Sequence, residues 1–224
     1  NFMYNQKMYF TDYGDYNILV LEHLAATSNP LRTFSVQDLI PHWMNRLENG
    51  WGSWICTMTK ETYSQVKHGT KIENLGGISN AMAIRHVAAH GYYENEDELV
   101  DVARKAMFTH KDFSALGGGE FFARVTHRVL RGVSPRDAIE EVAVLMGGFF
   151  EDKTKQAIAK YEEESNPDSQ LSKEQFSDDL ALTSMARLWD IGRSEPIKVG
   201  KASPTEGTLP GSIYFILKYA NKED

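Results

Sequence analysis

Cysteine is almost missing from this chain. Cys56 is the only one in 224 residues, so no disulfide can form within it, and a reducing, cytoplasmic setting is expected. An excess of positive charge is missing too. Twenty-four Lys and Arg stand against 31 Asp and Glu, a formal net charge of −7. That is the wrong sign for a surface that tracks phosphate backbones, so no nucleic-acid partner is expected. No apolar run approaches the ~20 residues of a bilayer-spanning helix. The opening Asn1-Phe2-Met3-Tyr4-Asn5-Gln6-Lys7 also lacks the basic and then long apolar segment of a signal peptide, so no membrane partner is expected. The chain does not open on its own initiator methionine, and a piece of a longer protein is the expectation. Alternation of apolar and polar residues at strand period is scarce, which disfavours a sheet.

Helical signals fill the space that those absences leave. At 42% hydrophobic and 25% charged the composition is that of an ordinary globule, and one domain is expected. Ser35 with Asp38 opens a segment that runs past Pro41, which should kink or end it early. Residues 57–66 read as a short helix. Asn95-Glu96-Asp97-Glu98 is a capping box for a stripe of Leu99, Val102, Ala103, Ala106 and Met107 that ends at Thr109-His110. Asp112 starts a segment over 113–130, interrupted by Gly117-Gly118-Gly119, where close helix packing is the default reading. Ser134-Pro135-Arg136-Asp137 is a helix start with proline in the first turn. Residues 151–165 form a polar helix whose glutamate run is a solvated face. Ser172-Lys173-Glu174-Gln175 caps another helix, with Asp178-Asp179 on its surface; 192–208 reads as a loop, and Thr208-Leu209-Pro210 restarts a last helix through Ser212 to Tyr219. Eight or so helices without a repeat period predict an all-α globule.

Two stretches carry candidate chemistry. Thr11-Asp12-Tyr13-Gly14-Asp15-Tyr16-Asn17 sets two carboxylates and an amide on a turn entering an apolar helix. Such hard oxygen ligands suit a magnesium-type ion, while the plainer reading makes Asp15 or Asn17 the helix N-cap. Asn74-Leu75-Gly76-Gly77-Ile78-Ser79-Asn80 reads as a loop at the entrance of a helix over 81–89, either a pyrophosphate cradle of backbone N–H groups or a simple capped turn. His110 is a ligand contact or acid/base group on one reading and a helix-end dipole partner on the other. Trp43, Trp51 and Trp54 read as core or rim aromatics or as a ligand shelf, and Cys56 as packing.

Taken in order, these segments resemble the ADP-ribosylglycohydrolase superfamily from about residue 9 to 219. The carriers are the Tyr-Gly-Asp turn before an apolar helix, Gly77-Ile78-Ser79-Asn80 leading to Met82 and Arg85, Thr109-His110 followed by Phe121-Phe122-Ala123, and Thr208-Leu209-Pro210-Gly211-Ser212-Ile213-Tyr214-Phe215. The resemblance implies a compact all-α orthogonal helical bundle, present here as a single domain over 1–224 without N- and C-terminal parts of the family fold. It implies a hydrolase that cleaves the glycosidic bond of ADP-ribosyl conjugates with a magnesium-bound water. ADP-ribose or an ADP-ribosylated protein would be the partner. Carried onto this sequence, it makes Asp15 and Asp12 catalytic, Asp15, Asp12 and Asn17 ligands of magnesium, and Gly76, Gly77, Ser79, Asn80 and His110 ligand-binding. The family's Thr-Asp-Asp-Thr stands here as Gly14-Asp15-Tyr16-Asn17, so Tyr16 replaces a carboxylate with a bulky ring. The family's second cluster, Gly-Gly-Asp-x-Asp, would follow the last helix, beyond the end of this sequence. The Tyr-Gly-Asp form is similar to the crystallin-like branch. The alternative reading is therefore a catalytically impaired ADP-ribose-binding or structural member of the same fold.

Overall fold

The computed structural model describes residues 11–26, 34–52, 54–166 and 204–220. Eight α-helices lie among them: α1 Asp12–Ala26, α2 Val36–Asn49, α3 Thr57–Lys67, α4 Glu96–Ala106, α5 Phe113–Val129, α6 Pro135–Met146, α7 Gly148–Ser165 and α8 Thr205–Tyr219. Short 3-10 turns occupy Ile72–Asn74 and Val87–Gly91. The described residues contain no strand, only two isolated bridges, Gly77 to His110 and Ala81 to Pro204. The all-α expectation holds. The capping box at Ser172 and the Asp178-Asp179 pair fall outside the described residues.

The chain divides into two compact units, Asn1–Ser79 with Ala83–Asp112, and Asn80–Met82 with Phe113–Asp224. In the first, α1 packs on α2 and on the Val87–Gly91 turn. Its core is built from Tyr16, Leu19, Val20, Leu39, Trp43, Leu99 and Val102, all nearly without solvent contact. In the second, α8 lies against α7, α5 and α6, around Phe121, Ile139, Val142, Leu209 and Ile213.

Local chemistry fixes several boundaries. Asn95 Oδ1 accepts the N–H groups of Asp97 at 2.9 Å and Glu98 at 3.1 Å. Ser134 Oγ accepts from Asp137 N at 3.1 Å, with Pro135 in the first turn of α6. Both starts are as the sequence signals require. Elsewhere the structure differs. Ser35 precedes α2, yet its side chain makes no cap bond, and Pro41 lies inside that helix without ending it. Proline removes only one intrahelical N–H, and the buried Leu39 and Trp43 beside it hold the helix to the core. The stripe of α4 ends at Ala106, short of Thr109-His110, because His110 leaves to pair with Gly77. The polar helix α7 begins earlier, at Gly148, and α8 begins at Thr205, inside the stretch expected to be loop. Of the three tryptophans in the first unit, Trp43 is core, whereas Trp54 is 66% exposed.

The glycine run does not interrupt α5, and close packing is its reason. A Cβ on Gly117 would lie 2.2 Å from Cζ of Phe150, and one on Gly118 would lie 2.7 Å from Sδ of Met82. The Phe150 ring has little room to yield, being stacked on Phe121 at 6.3 Å and edge-on to Phe149 at 5.2 Å between centroids. Gly117→Ala should therefore destabilise by about 1–2 kcal/mol, overpacking exceeding the gain in helix propensity. A lower urea midpoint at unchanged slope is the expected reading, and an unchanged or higher midpoint would count against the tight fit.

Candidate functional site

The 11–17 stretch is not a turn before α1; it is the first turn and a half of α1. Thr11 is the cap. Its carbonyl accepts Asp15 N at 2.9 Å and its Oγ1 accepts Gly14 N at 3.2 Å. The expectation that Asp15 or Asn17 caps the helix is thus corrected, because a threonine further upstream already satisfies the first N–H groups. Asp12 and Asp15 fall in the first turn, where carboxylates complement the helix dipole.

Their environments differ. Asp15 is 1% exposed and its Oδ1 accepts from Nη2 of Arg46 at 3.1 Å. Nη1 of the same guanidinium reaches Glu22 Oε1 at 3.0 Å and Oε2 at 2.8 Å. Burial raises the pKa of Asp12; the Cys56 thiol and the charge of Arg85 act against that rise, and the Asp15 charge adds to it. One oxygen of each acid, Asp12 Oδ1 and Asp15 Oδ2, is buried without a hydrogen-bond partner.

Tyr16, at the position where the family pattern has a carboxylate, is a core residue 1% exposed. Its hydroxyl accepts from Trp43 Nε1 at 3.1 Å and pairs with Thr59 Oγ1 at 2.8 Å. Thr59 Oγ1 lies 3.1 Å from Cys56 Sγ. Because indole is a donor only, one consistent assignment of hydrogens runs Trp43 to Tyr16 to Thr59 to Cys56 and ends on Asp12. Burial pushes the Tyr16 phenol up, so it stays neutral.

Asn17 is fully occupied by backbone. Its Nδ2 donates to Tyr13 O and to Ile84 O, both at 2.9 Å, and its Oδ1 accepts Val87 N at 3.2 Å. This explains a second departure. Residues 82–86 are not helical, and only the Val87–Gly91 turn follows, so no α-helix dipole stands behind the glycine pair. Asn17 holds that segment open by taking groups a helix would pair internally.

The glycine pair itself is packed against the chain. Gly76 N donates to Gln65 Oε1 at 2.8 Å. Gly77 N donates to Thr109 O at 3.0 Å, and Lys111 N donates to Gly77 O at 2.9 Å. Both glycine N–H groups are thus already used by protein acceptors. Ser79 is half-buried and Ile78 is 87% exposed at the loop tip. Asn80 belongs to the second unit, where its carbonyl accepts Thr205 N and Oγ1, each at 2.8 Å. His110, 9% exposed, places Nδ1 3.0 Å from Thr109 Oγ1. Burial and then the Arg85 charge lower its pKa to about 3, so it is a neutral imidazole.

Arg85 joins these groups, although in the sequence it stands out only as part of a longer motif. It is 3% exposed, donates to Ala106 O at 3.0 Å and lies with Cζ 3.2 Å from the Tyr16 ring centroid. Its charge acts on Asp12 and on His110. The structure therefore gathers Asp12, Asp15, Gly76, Gly77 and His110 into one unit, with Arg46 and Arg85 as their cations. Among the described residues no group of three or more His, Cys, Asp and Glu side chains is placed to hold a metal. Of the expected ligands, Asp12 and Asp15 alone retain unpartnered oxygens, and Asp15 already carries a guanidinium. These residues do not fit a magnesium pair. Nor is any helix among the described residues long and apolar enough to cross a membrane.

Comparison with known protein families gives a match over nearly the whole chain. The family model described as ADP-ribosylglycohydrolase covers residues 2–221. Neither a curated protein nor a solved structure matches the chain.

Proposed function

The chain belongs to the ADP-ribosylglycohydrolase family, and from that premise we propose that it recognises ADP-ribose or ADP-ribosylated protein without a magnesium-bound water, as a catalytically impaired member. The observation that carries this reading is the state of the acidic turn. Asp15 is buried against Arg46, Tyr16 is locked in the core by Trp43 and Thr59, and Asn17 is bound to backbone. Magnesium needs hard oxygens arranged nearly octahedrally, and a phenol in the core with an amide already engaged supplies neither. Hydrolysis by a magnesium-bound water, the other expectation, would require Asp15 to exchange its guanidinium for the metal.

On this reading recognition rests on side chains of the site. The backbone N–H groups of Gly76 and Gly77 are already hydrogen-bonded. A pyrophosphate would have to displace Gln65 and the Thr109 carbonyl to reach them, so they are not its cradle. Titration calorimetry with ADP-ribose tests the proposal. The expected result is a saturable heat that is the same in magnesium and in EDTA, together with no release of ADP-ribose from a modified protein when magnesium is added. Magnesium-dependent release would overturn the impaired half of the reading. A chain that gives no heat at all would be a structural member of the fold.

A further inference from the structure

Arg46 occupies an unusual place on α1. Asp15 and Glu22 are seven residues apart, two turns along one face of the helix, and a single guanidinium spans them. It gives Nη2 to Asp15 Oδ1 at 3.1 Å and Nη1 to both oxygens of Glu22. Asp15 is almost wholly buried, while Glu22 is in solvent, their side chains being 2% and 57% exposed. The planar fork of arginine is anchored at the solvent end and aimed at the buried end.

The site is nevertheless not saturated. Asp15 Oδ2 and Asp12 Oδ1 are both buried and have no hydrogen-bond partner. The two acids are in the first turn of α1, three residues apart and so on the same side of the helix. A buried carboxylate oxygen without a protein donor is an acceptor with capacity left to fill. We infer that the Arg46 guanidinium is a tethered stand-in for a divalent ion on this face. It closes the Asp12 and Asp15 carboxylates to metal in the native chain, and removing it turns them into a divalent-cation site. The inference rests on the reading that this turn assembles no magnesium pair.

The physical reason is charge and occupancy together. A dication approaching Asp15 meets a fixed positive charge already bonded to Oδ1, and like-charge repulsion at short range inside a poorly solvated site is strong. Without the guanidinium, Asp15 offers two oxygens and Asp12 one, with water completing the shell. That is a weak site for a hard ion.

Mn²⁺ is the probe, followed by electron paramagnetic resonance of the unbound ion. The native chain should show no saturable binding across the millimolar range. Arg46→Gln should take one Mn²⁺ per chain with Kd about 10⁻⁴–10⁻³ M, the range of sites with few charged ligands. Adding Asp15→Asn to that variant should abolish binding. Arg46→Met keeps an apolar stem of similar length without the charge and should take the same ion at the same place. It decides the matter if Arg46→Gln does not fold. Saturable Mn²⁺ binding by the native chain at the variant's strength would overturn the inference. So would metal silence in whichever of these two variants keeps the native helical circular dichroism. The outcome is separable from that of ADP-ribose binding. Metal-silent variants beside magnesium-independent ADP-ribose heat would sink only this inference, whereas Mn²⁺ uptake on loss of Arg46 beside no ADP-ribose heat would sink only ligand recognition.

Discussion

Lowering the pH from 6.5 to 4 is expected to remove several kcal/mol from the stability of the first unit. Two buried imidazoles are responsible. His86 is 3% exposed, and burial followed by the charge of His90, whose Nε2 lies 3.0 Å from His86 Nδ1, lowers its pKa to about 4. His110 is lowered to about 3 by burial and by Arg85, with Asp112 acting the other way. Both titrate near 6.5 in the unfolded chain. Between 6.5 and 4 the unfolded state therefore binds more protons than the folded state, and stability rises with pH. The contribution is complete above 6.5 and is lost as the pH falls toward the folded values. At ~1.4 kcal/mol per proton and pH unit, each histidine accounts for about 3 kcal/mol over that window. Asp12 has the opposite sign. Its raised pKa favours the proton in the fold, so it returns some stability only as the pH approaches the carboxylate range. Urea unfolding followed by tryptophan fluorescence reports mainly on this unit, since three of the chain's four tryptophans, Trp43, Trp51 and Trp54, lie in it. His110→Gln should flatten the slope by about one proton. Stability that does not change with pH across the window would show that the imidazoles are not held neutral by the fold.

The parts of this molecule that can be read from sequence are those whose causes are local. Asn95 and Ser134 cap their helices because each carries its own acceptor within three residues of the N–H groups that need it. The apolar stripes of α4 and α6 follow the helical period and are buried as that period requires. The candidate site is legible in its acids and its glycines but not in their use. Nothing near Asp15 in the chain announces Arg46, which comes from another helix. Nothing near Asn17 announces that its amide will hold residues 84–87, about seventy positions away. Tyr16 reads in the sequence as a damaged ligand position, and the structure gives it a positive role as the hydrogen-bonded centre of the core. The family match spans residues 2–221 although the acidic turn has departed from the pattern.

Gly76→Ala should be among the most damaging single-methyl changes in the chain, for a reason unconnected with phosphate. Gly76 has φ of +98°, beyond the narrow left-handed well that other residues visit. An alanine there carries backbone strain of about 1–3 kcal/mol. Its Cβ would also stand 2.9 Å from Phe108 O, 3.0 Å from His110 N and 3.0 Å from Thr109 C. All three are backbone atoms, which cannot swing aside as a side chain does. Moving them would strain the Gly77 to Thr109 and Lys111 to Gly77 hydrogen bonds, and the Gln65 amide, bonded to both the N–H and the carbonyl of Gly76, resists its retreat. Strain and overpacking together should reach about 3–5 kcal/mol. Gly69 provides the internal control. It has φ of +75° with nothing within 4 Å of the place a methyl group would take, so Gly69→Ala should lose only the conformational part, about 1–2 kcal/mol. The difference between the two urea midpoints isolates the close approach of 76 to 108–110. If the two variants were equally stable, the close approach of Gly76 to 108–110 would carry no packing cost.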